Sequence, residues 1–317
     1  MNSSQPNILV FDPNHAEEYA NCVRECGFKA VKAAATYEEA EMFLPGSEII
    51  LGWKFPTQLL RTPNALSVRW FQSMGAGVND LVADSSIPDD ILLTRIVDQF
   101  GTNISEYIFA YLLHIVKDIP RMRQAQTERN WDSFISDSLA RKTIGVAGLG
   151  SIGAETVRKA KAFDMKVHGL SFSGRNSEIV DQHFTANQWK DFVKDLDYLV
   201  LTLPLTEKTY HVINREILFA MKPDSCLVNV GRGALIAEND LQSVLEEGHL
   251  RAAILDVFET EPLPKDHRFY SMPNVYVTSH LSGPSTIEGV TQFFVDNVIK
   301  YLNGETLHGI VDRKRGY

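Results

Sequence analysis

Cysteine is scarce in this chain, with three residues (Cys22, Cys26 and Cys226) among 317. Three thiols cannot all pair, and Cys22 and Cys26 lack the companion Cys or His residues that a zinc site needs, so neither a disulfide framework nor a metal centre is expected. They read as buried thiols in a reducing cytoplasm. Positive charge is also short, because 31 Lys and Arg stand against 40 Asp and Glu for a formal net charge of −9. A protein that clamps a nucleic-acid backbone usually carries the opposite sign, so no nucleic-acid partner is expected. Long apolar runs are missing too: the stretch at 107–116 falls far short of the roughly 20 residues that span a bilayer. The opening MNSSQPN has neither a basic nor a long apolar leader segment, which argues against export and membrane insertion. No short-period repeat or low-complexity linker is found. What is present is ordinary globular composition, 44% hydrophobic and 22% charged, with length enough for a large core or two domains.

The apolar run at 8–11 is followed by Asp12 and Pro13; residues 16–26 then have helical spacing, and Gly27 marks a stop. Further short runs at 49–51, 68–71 and 91–94 continue a strand-and-crossover pattern, so the first hundred residues read as one α/β unit. A stronger series follows at 143–147, 166–170, 198–203, 226–230, 253–257 and 275–278. Six such strands alternating with helical stretches describe a doubly wound sheet. Between the two series, 102–118 reads as a long apolar helix crossing from one domain to the other, capped by Thr102 or Asn103 and with Glu106 in its first turn. His114 on that helix reads as a packing or capping residue. The stretch 286–302 is again helical, and the chain is expected to return there to the first domain.

The segment Gly148-Leu149-Gly150-Ser151-Ile152-Gly153 sets G-x-G-x-x-G directly after a strand and before a helix. Gly148 permits the tight turn, Gly150 the close approach of a pyrophosphate to backbone N–H groups, and Gly153 the packing of helix on strand. Phosphate would then lie at the positive end of the helix. The acidic residue that normally follows about 20 positions later, to bind the adenosine ribose, is absent. Ser171, Ser173 and Arg175 occupy that stretch instead. Neutral donors and a forked cation suit a 2′-phosphate, so the cofactor expected is NADP(H) in preference to NAD(H).

Three further segments carry polar groups that a buried apolar run does not need for packing: 229–234 with Arg232, 256–264 with Asp256 and Glu261, and 278–283 with His280. Together they offer a carboxylate anchor, a group that titrates near neutrality, and an acid to orient it. The chain here resembles the D-isomer-specific 2-hydroxyacid dehydrogenase family, which includes glyoxylate and hydroxypyruvate reductases. The resemblance rests on Gly75-Ala-Gly-Val-Asn79, the glycine segment, Leu203-Pro-Leu-Thr206 with Thr209, Asn229-Val-Gly-Arg-Gly233, Asp256-Val-Phe-Glu-Thr-Glu-Pro262, His280, and the tail with Asn303-Gly-Glu and Arg315-Gly-Tyr317. It implies an α/β fold of two domains: a Rossmann domain over 100–285 and a flavodoxin-like substrate domain built from 1–99 and 286–317.

By the same resemblance, Arg232 grips the substrate carboxylate and 2-oxo oxygen, His280 is the acid/base and Glu261 its partner, favouring the protonated ring. Ala76 and Gly77 match the loop whose N–H groups hold the carboxylate, and Trp53 with Lys54 are candidates for the substrate wall. Asp256 matches the partner of the nicotinamide carboxamide. Pro204 and Thr209 match adenine-side contacts, and Val230 and Gly231 complete the cofactor set. Two positions depart from the family pattern: Ser279 replaces the usual Pro before the histidine, and Asp164 replaces a Gly. The segment 121–132 with Trp131 resembles the family's dimer arm, so a cytoplasmic homodimer is expected. Two other readings remain open: a dinucleotide-sensing corepressor-like protein, and a dehydrogenase acting on formate or phosphite.

Overall fold

A strand covered by helices on both faces has no solvent side, so its sequence is apolar throughout rather than alternating. Ile8–Phe11 (β1), Ile49–Gly52 (β3) and Trp70–Ser73 (β4) are buried at every position for this reason. With Val31–Ala34 (β2) and Leu92–Thr94 (β5) they form a five-stranded sheet in the order β2-β1-β3-β4-β5, every neighbouring pair parallel. That order is the flavodoxin-like one. The computed structural model describes residues 5–78, 81, 82 and 87–313. Asn79 and the 314–317 tail, both used in the sequence comparison with the family, lie outside the described residues.

The second sheet has seven strands: Thr143–Ala147 (β6), Lys166–Leu170 (β7), Gln182–Phe184 (β8), Tyr198–Leu201 (β9), Cys226–Asn229 (β10), Ala252–Leu255 (β11) and Val275–Val277 (β12). Its order is β12-β11-β10-β9-β6-β7-β8, again all parallel. Counted from β6 this is 3-2-1-4-5-6-7, the doubly wound nucleotide-binding arrangement with one strand added. Chain contacts divide the molecule into one unit of residues 1–99 and 285–317 and another of 100–284. Both units are parallel-sheet α/β domains, a Rossmann domain and a substrate domain.

Several expectations need correction. The helix anticipated at 102–118 is Gly101–Val116, with Phe100 at its N-cap and no capping side chain. Thr102 and Asn103 are inside the helix, and Glu106 is past its first turn, where it pairs with Lys159 at 3.4 Å. The buried Phe100 and the missing Cβ of Gly101 explain the earlier start: a Cβ at Gly101 would meet Glu155 Cβ at 3.2 Å on the neighbouring helix Ser151–Ala162. The whole helix belongs to the 100–284 unit rather than crossing out of it. His114 packs edge-on against Tyr276, with ring centroids 5.4 Å apart. Of the three thiols only Cys226 is buried, while Cys22 is partly covered and Cys26 exposed. Strands β2 and β8 were not anticipated. Asp164, which stands where the family has a Gly, adopts a left-handed backbone with φ +55°.

Helix Ile287–Leu302 returns the chain to the first unit and packs on helix Ala16–Glu25. Thr286 caps it by accepting from the Gly289 N–H. Beyond it, residues 309–311 close the open side of β5: Arg95 N–H donates to Gly309 O at 2.9 Å, Val311 N–H donates to Leu93 O at 3.0 Å, and Thr94 bridges Ile310 in antiparallel fashion. Among the described residues, no helix is long and apolar enough to cross a membrane.

Candidate active site

Ligands of open α/β sheets bind beyond the carboxyl ends of the strands, at the point where the strand order reverses. In the seven-stranded sheet that point lies between β6 and β9, and the glycine segment leaves β6 there. Gly148 has φ +105°, and a Cβ on it would lie 2.8 Å from Thr202 Oγ1. Gly153 sits in the first turn of helix Ser151–Ala162, where a Cβ would collide with the Gly148 carbonyl oxygen. Gly150 is the N-cap of that helix; no side chain caps it, and a Cβ would meet nothing within 4 Å. Two glycines are thus demanded by packing, and the third opens onto free space at a helix N-terminus. Leu149 is buried beneath the turn, while Ser151 and Ile152 begin the helix. Thr202 braces the loop from the end of β9, its hydroxyl donating to Gly148 O at 2.7 Å. The cradle fits a dinucleotide diphosphate.

The other expected cofactor residues occupy the neighbouring strand ends. Ser171 follows β7 and is buried, with Oγ 2.8 Å from His183 Nε2. Ser173 and Arg175 stand exposed on the turn after it, the Arg175 N–H donating to Ser173 Oγ at 3.3 Å. After β9, Thr209 is buried; its hydroxyl donates to Pro204 O at 2.7 Å and accepts from Thr206 N–H at 2.8 Å, so it shapes the turn from inside. Val230 and Gly231 follow β10, Val230 buried and its N–H bonded to Leu201 O.

Arg232 is presented by a turn that fully buried Asn229 holds at both ends. Asn229 Nδ2 donates to Arg232 O at 2.9 Å, and its Oδ1 accepts from Gly231 N–H at 3.1 Å. Arg232 Nη1 donates to Gly231 O at 2.6 Å. Gly233, next along, packs so closely on the Phe258–Glu259 backbone that a Cβ would overlap the Phe258 carbonyl carbon. This pins the arginine turn to the loop after β11. In that loop Glu261 Oε1 accepts from Phe258 N–H at 3.0 Å, and Glu261 Oε2 lies 2.8 Å from His280 Nδ1. With Nδ1 turned to the carboxylate, Nε2 is the ring atom left to exchange a proton.

His280 has φ +54°, a left-handed backbone uncommon outside glycine. Fully buried Asp256 holds it there. The His280 N–H donates to Asp256 O at 2.8 Å, Leu281 N–H and the Thr278 hydroxyl reach Oδ1, and Ser282 N–H reaches Oδ2 at 3.0 Å. Three donors on a buried carboxylate repay its desolvation. Tyr107 extends the network from helix Gly101–Val116, its hydroxyl 2.8 Å from Thr278 Oγ1. Burial pushes that phenol well above its ordinary range, so it stays protonated. In the sequence Tyr107 and His183 carry no assignment, and Asn229 and Thr278 stand only as the first residues of motif segments, with no role of their own. Their residue types carry no signal until the fold sets them beside the residues they support.

In the other unit, Trp53 and Lys54 follow β3, and 75–77 follow β4. Trp53, Lys54 and Gly77, with Phe55, Thr57 and Ser73, line a cavity of about 300 Å³. Trp53 is 41% exposed and lies over Gly75, where a Cβ would be 2.7 Å from its Cζ3. Ala76 O accepts from Arg95 Nη1 at 3.1 Å, which fixes that loop. Among the described residues there is no cluster of three His, Cys, Asp or Glu placed to hold a metal ion.

The family model of the D-isomer-specific 2-hydroxyacid dehydrogenase NAD-binding domain matches residues 109–282. The chain belongs to the D-isomer-specific 2-hydroxyacid dehydrogenase family. It is 31% identical to D-3-phosphoglycerate dehydrogenase of Methanocaldococcus jannaschii, an alignment covering 96% of this chain but 59% of that longer protein. It is 28% identical to glyoxylate/hydroxypyruvate reductase A of Serratia proteamaculans, over 86% of this chain and 88% of the relative. Among solved structures, the NADPH-dependent glyoxylate/hydroxypyruvate reductase of Sinorhizobium meliloti in complex with NADP and sulfate superposes with a TM-score of 0.88 at 28% identity, covering 98% of this chain and 100% of that one. Members of the 2-hydroxyacid dehydrogenase family are NAD(P)-dependent oxidoreductases acting on small 2-oxo and 2-hydroxy acids.

Proposed function

We propose that this protein is an NADP(H)-preferring reductase of small 2-oxo acids of the glyoxylate and hydroxypyruvate type, forming D-2-hydroxy acids where the product is chiral. The observation that carries the reading is the 2.8 Å His280 Nδ1 to Glu261 Oε2 pair, set on the same strand-end edge as Arg232. The glycine cradle would hold a nicotinamide cofactor, which when bound would supply hydride chemistry for C2. Arg232 pairs with the substrate carboxylate and offers N–H donors to the 2-oxo oxygen, where negative charge develops. His280 gives its Nε2 proton to that oxygen, and Glu261, bonded at Nδ1, keeps the ring in register. In the reverse direction, neutral His280 takes the hydroxyl proton. Within the substrate domain, Ala76 and Gly77 are assigned as backbone donors to a carboxylate, and Trp53 and Lys54 as part of the wall of the cavity that Gly77 also lines.

NADP(H) preference is supported by the absence of a carboxylate at position 171, by exposed Arg175 on the same turn, and by the NADP complex of the Sinorhizobium meliloti relative. A cytoplasmic homodimer belongs to the same proposal. Trp131 and Ile135, 96% and 101% exposed, give the apolar surface that a second copy would cover.

The test is spectrophotometric, with a panel of 2-oxo acids against NADPH and NADH. Oxidation of NADPH by glyoxylate or hydroxypyruvate, faster than that of NADH, is the expected result. His280→Ala and Arg232→Ala should each lower kcat/KM by about 10²- to 10⁴-fold. A loss of only a few fold in both variants would remove the assigned roles, and a clear NADH preference would remove the cofactor assignment.

A further inference from the structure

Strand β8 brings one side chain to the cofactor turn that no motif marks. His183 lies on the outermost strand, paired in register with Gly169 of β7, and its Nε2 is 2.8 Å from Ser171 Oγ. Ser171 is held to β8 a second time, its N–H donating to Phe184 O at 3.1 Å. The turn that follows is fastened to the glycine loop by Asn176, whose Nδ2 donates to Leu149 O at 2.7 Å. Ser171 and Arg175 therefore stand in a fixed relation to the diphosphate cradle.

A serine hydroxyl has one proton to give. If it gives that proton to an unprotonated Nε2, only lone pairs face the ligand, an arrangement suited to a ribose hydroxyl and hostile to a phosphate. If Nε2 carries the hydrogen and donates to Oγ, the serine proton is released to point at an anionic oxygen. The Nε2–H form is open to the neutral ring as well as to the imidazolium, so the role does not depend on the charge of His183.

We propose that His183 is a specificity-determining positioning residue: by donating from Nε2 to Ser171 it turns the serine hydroxyl into a donor for the 2′-phosphate of an adenine dinucleotide. The proposal rests on the NADP(H) reading above. It goes further in giving the preference to a pair of residues, His183 on β8 and Ser171 just past the end of β7, rather than to Arg175 alone.

The experiment is calorimetric titration with adenosine 2′,5′-bisphosphate and adenosine 5′-monophosphate, which differ only in the 2′-phosphate. The wild-type protein should bind the bisphosphate more tightly. His183→Leu removes the partner that orients the buried serine hydroxyl and leaves it to rotate, which should lower the ratio of the two affinities about ten-fold. His183→Glu, which must take the serine proton and adds a like charge, should abolish the preference. His183→Gln can still donate and should keep the ratio within about three-fold of wild type. In a Ser171→Ala background, His183→Leu should no longer change the ratio. A ratio unchanged in His183→Leu, or affinities for both nucleotides falling together, would overturn the role of His183. A wild-type ratio near one would instead overturn the cofactor preference itself, so the two failures are separable.

Discussion

Single residues in this molecule are constrained most tightly where the loops behind the strand ends touch one another. Gly233 is the clearest case, because any Cβ there overlaps the Phe258 carbonyl carbon. Gly233→Ala should cost about 1–3 kcal/mol through backbone displacement and should misplace Arg232; a urea midpoint and kcat/KM measured on the same preparation check both effects. Asp256→Asn makes a related point. One side-chain oxygen becomes an NH2 group facing either the Ser282 N–H or the Leu281 N–H and Thr278 hydroxyl, stranding buried donors at about 1–3 kcal/mol. His280 would then lose the fixed left-handed backbone that presents it. The proposed reacting groups were singled out in the sequence, because Arg232, Glu261 and His280 are polar residues just beyond apolar strand ends, and the family resemblance gave them roles. The residues that hold them were not: nothing in Asn229 or Thr278 distinguishes a clamp from a loop side chain before the turn is built.

Among the elements, legibility followed burial. The strands found from the sequence are chiefly those covered on both faces, such as β3, β9, β10 and β11, where a continuous apolar run is the only workable composition. The two that escaped, β2 (Val-Lys-Ala-Ala) and β8 (Gln-His-Phe), are each the outermost strand of a sheet. Edge strands favour polar residues, which blunt pairing with other chains, and so lose the apolar pattern by which strands are recognised. Missing β8 also hid the partner of Ser171. Helix Ile287–Leu302 shows how an element is fastened by a polar core. Fully buried Asn297 donates to Gln72 Oε1 at 3.2 Å and to His308 O at 3.0 Å, and accepts from His308 N–H at 2.8 Å; Gln72 Oε1 also accepts from Thr94 Oγ1. Asn297→Ala should destabilise this unit by about 1–3 kcal/mol for each stranded group. Faster hydrogen exchange at the His308 amide would be its local sign.

For the molecule as a whole, the cysteines give each unit its own reporter. Cys22 and Cys26 belong to one unit and Cys226 to the other. Burial pushes the Cys226 thiol up to about 12 and also raises Cys22, while Cys26 lies exposed. Only the thiolate attacks disulfide reagents, so at mildly alkaline pH Cys26 should label first, Cys22 more slowly, and Cys226 only when its unit opens. Mass spectrometry of partly labelled protein checks the order, and labelling of Cys226 together with Cys26 would contradict it.

The closure of β5 by residues 309–311 has a consequence for how the chain is made. A ribosome delivers strands β1 to β5 long before the segment that shields their bare side, so the growing polypeptide carries an unguarded sheet margin while the middle unit is synthesised and folds. During that interval the margin can recruit a stray strand from a neighbouring nascent chain. Premature termination just ahead of Gly309 would make that exposure permanent, and the product should go to inclusion bodies rather than remain in solution.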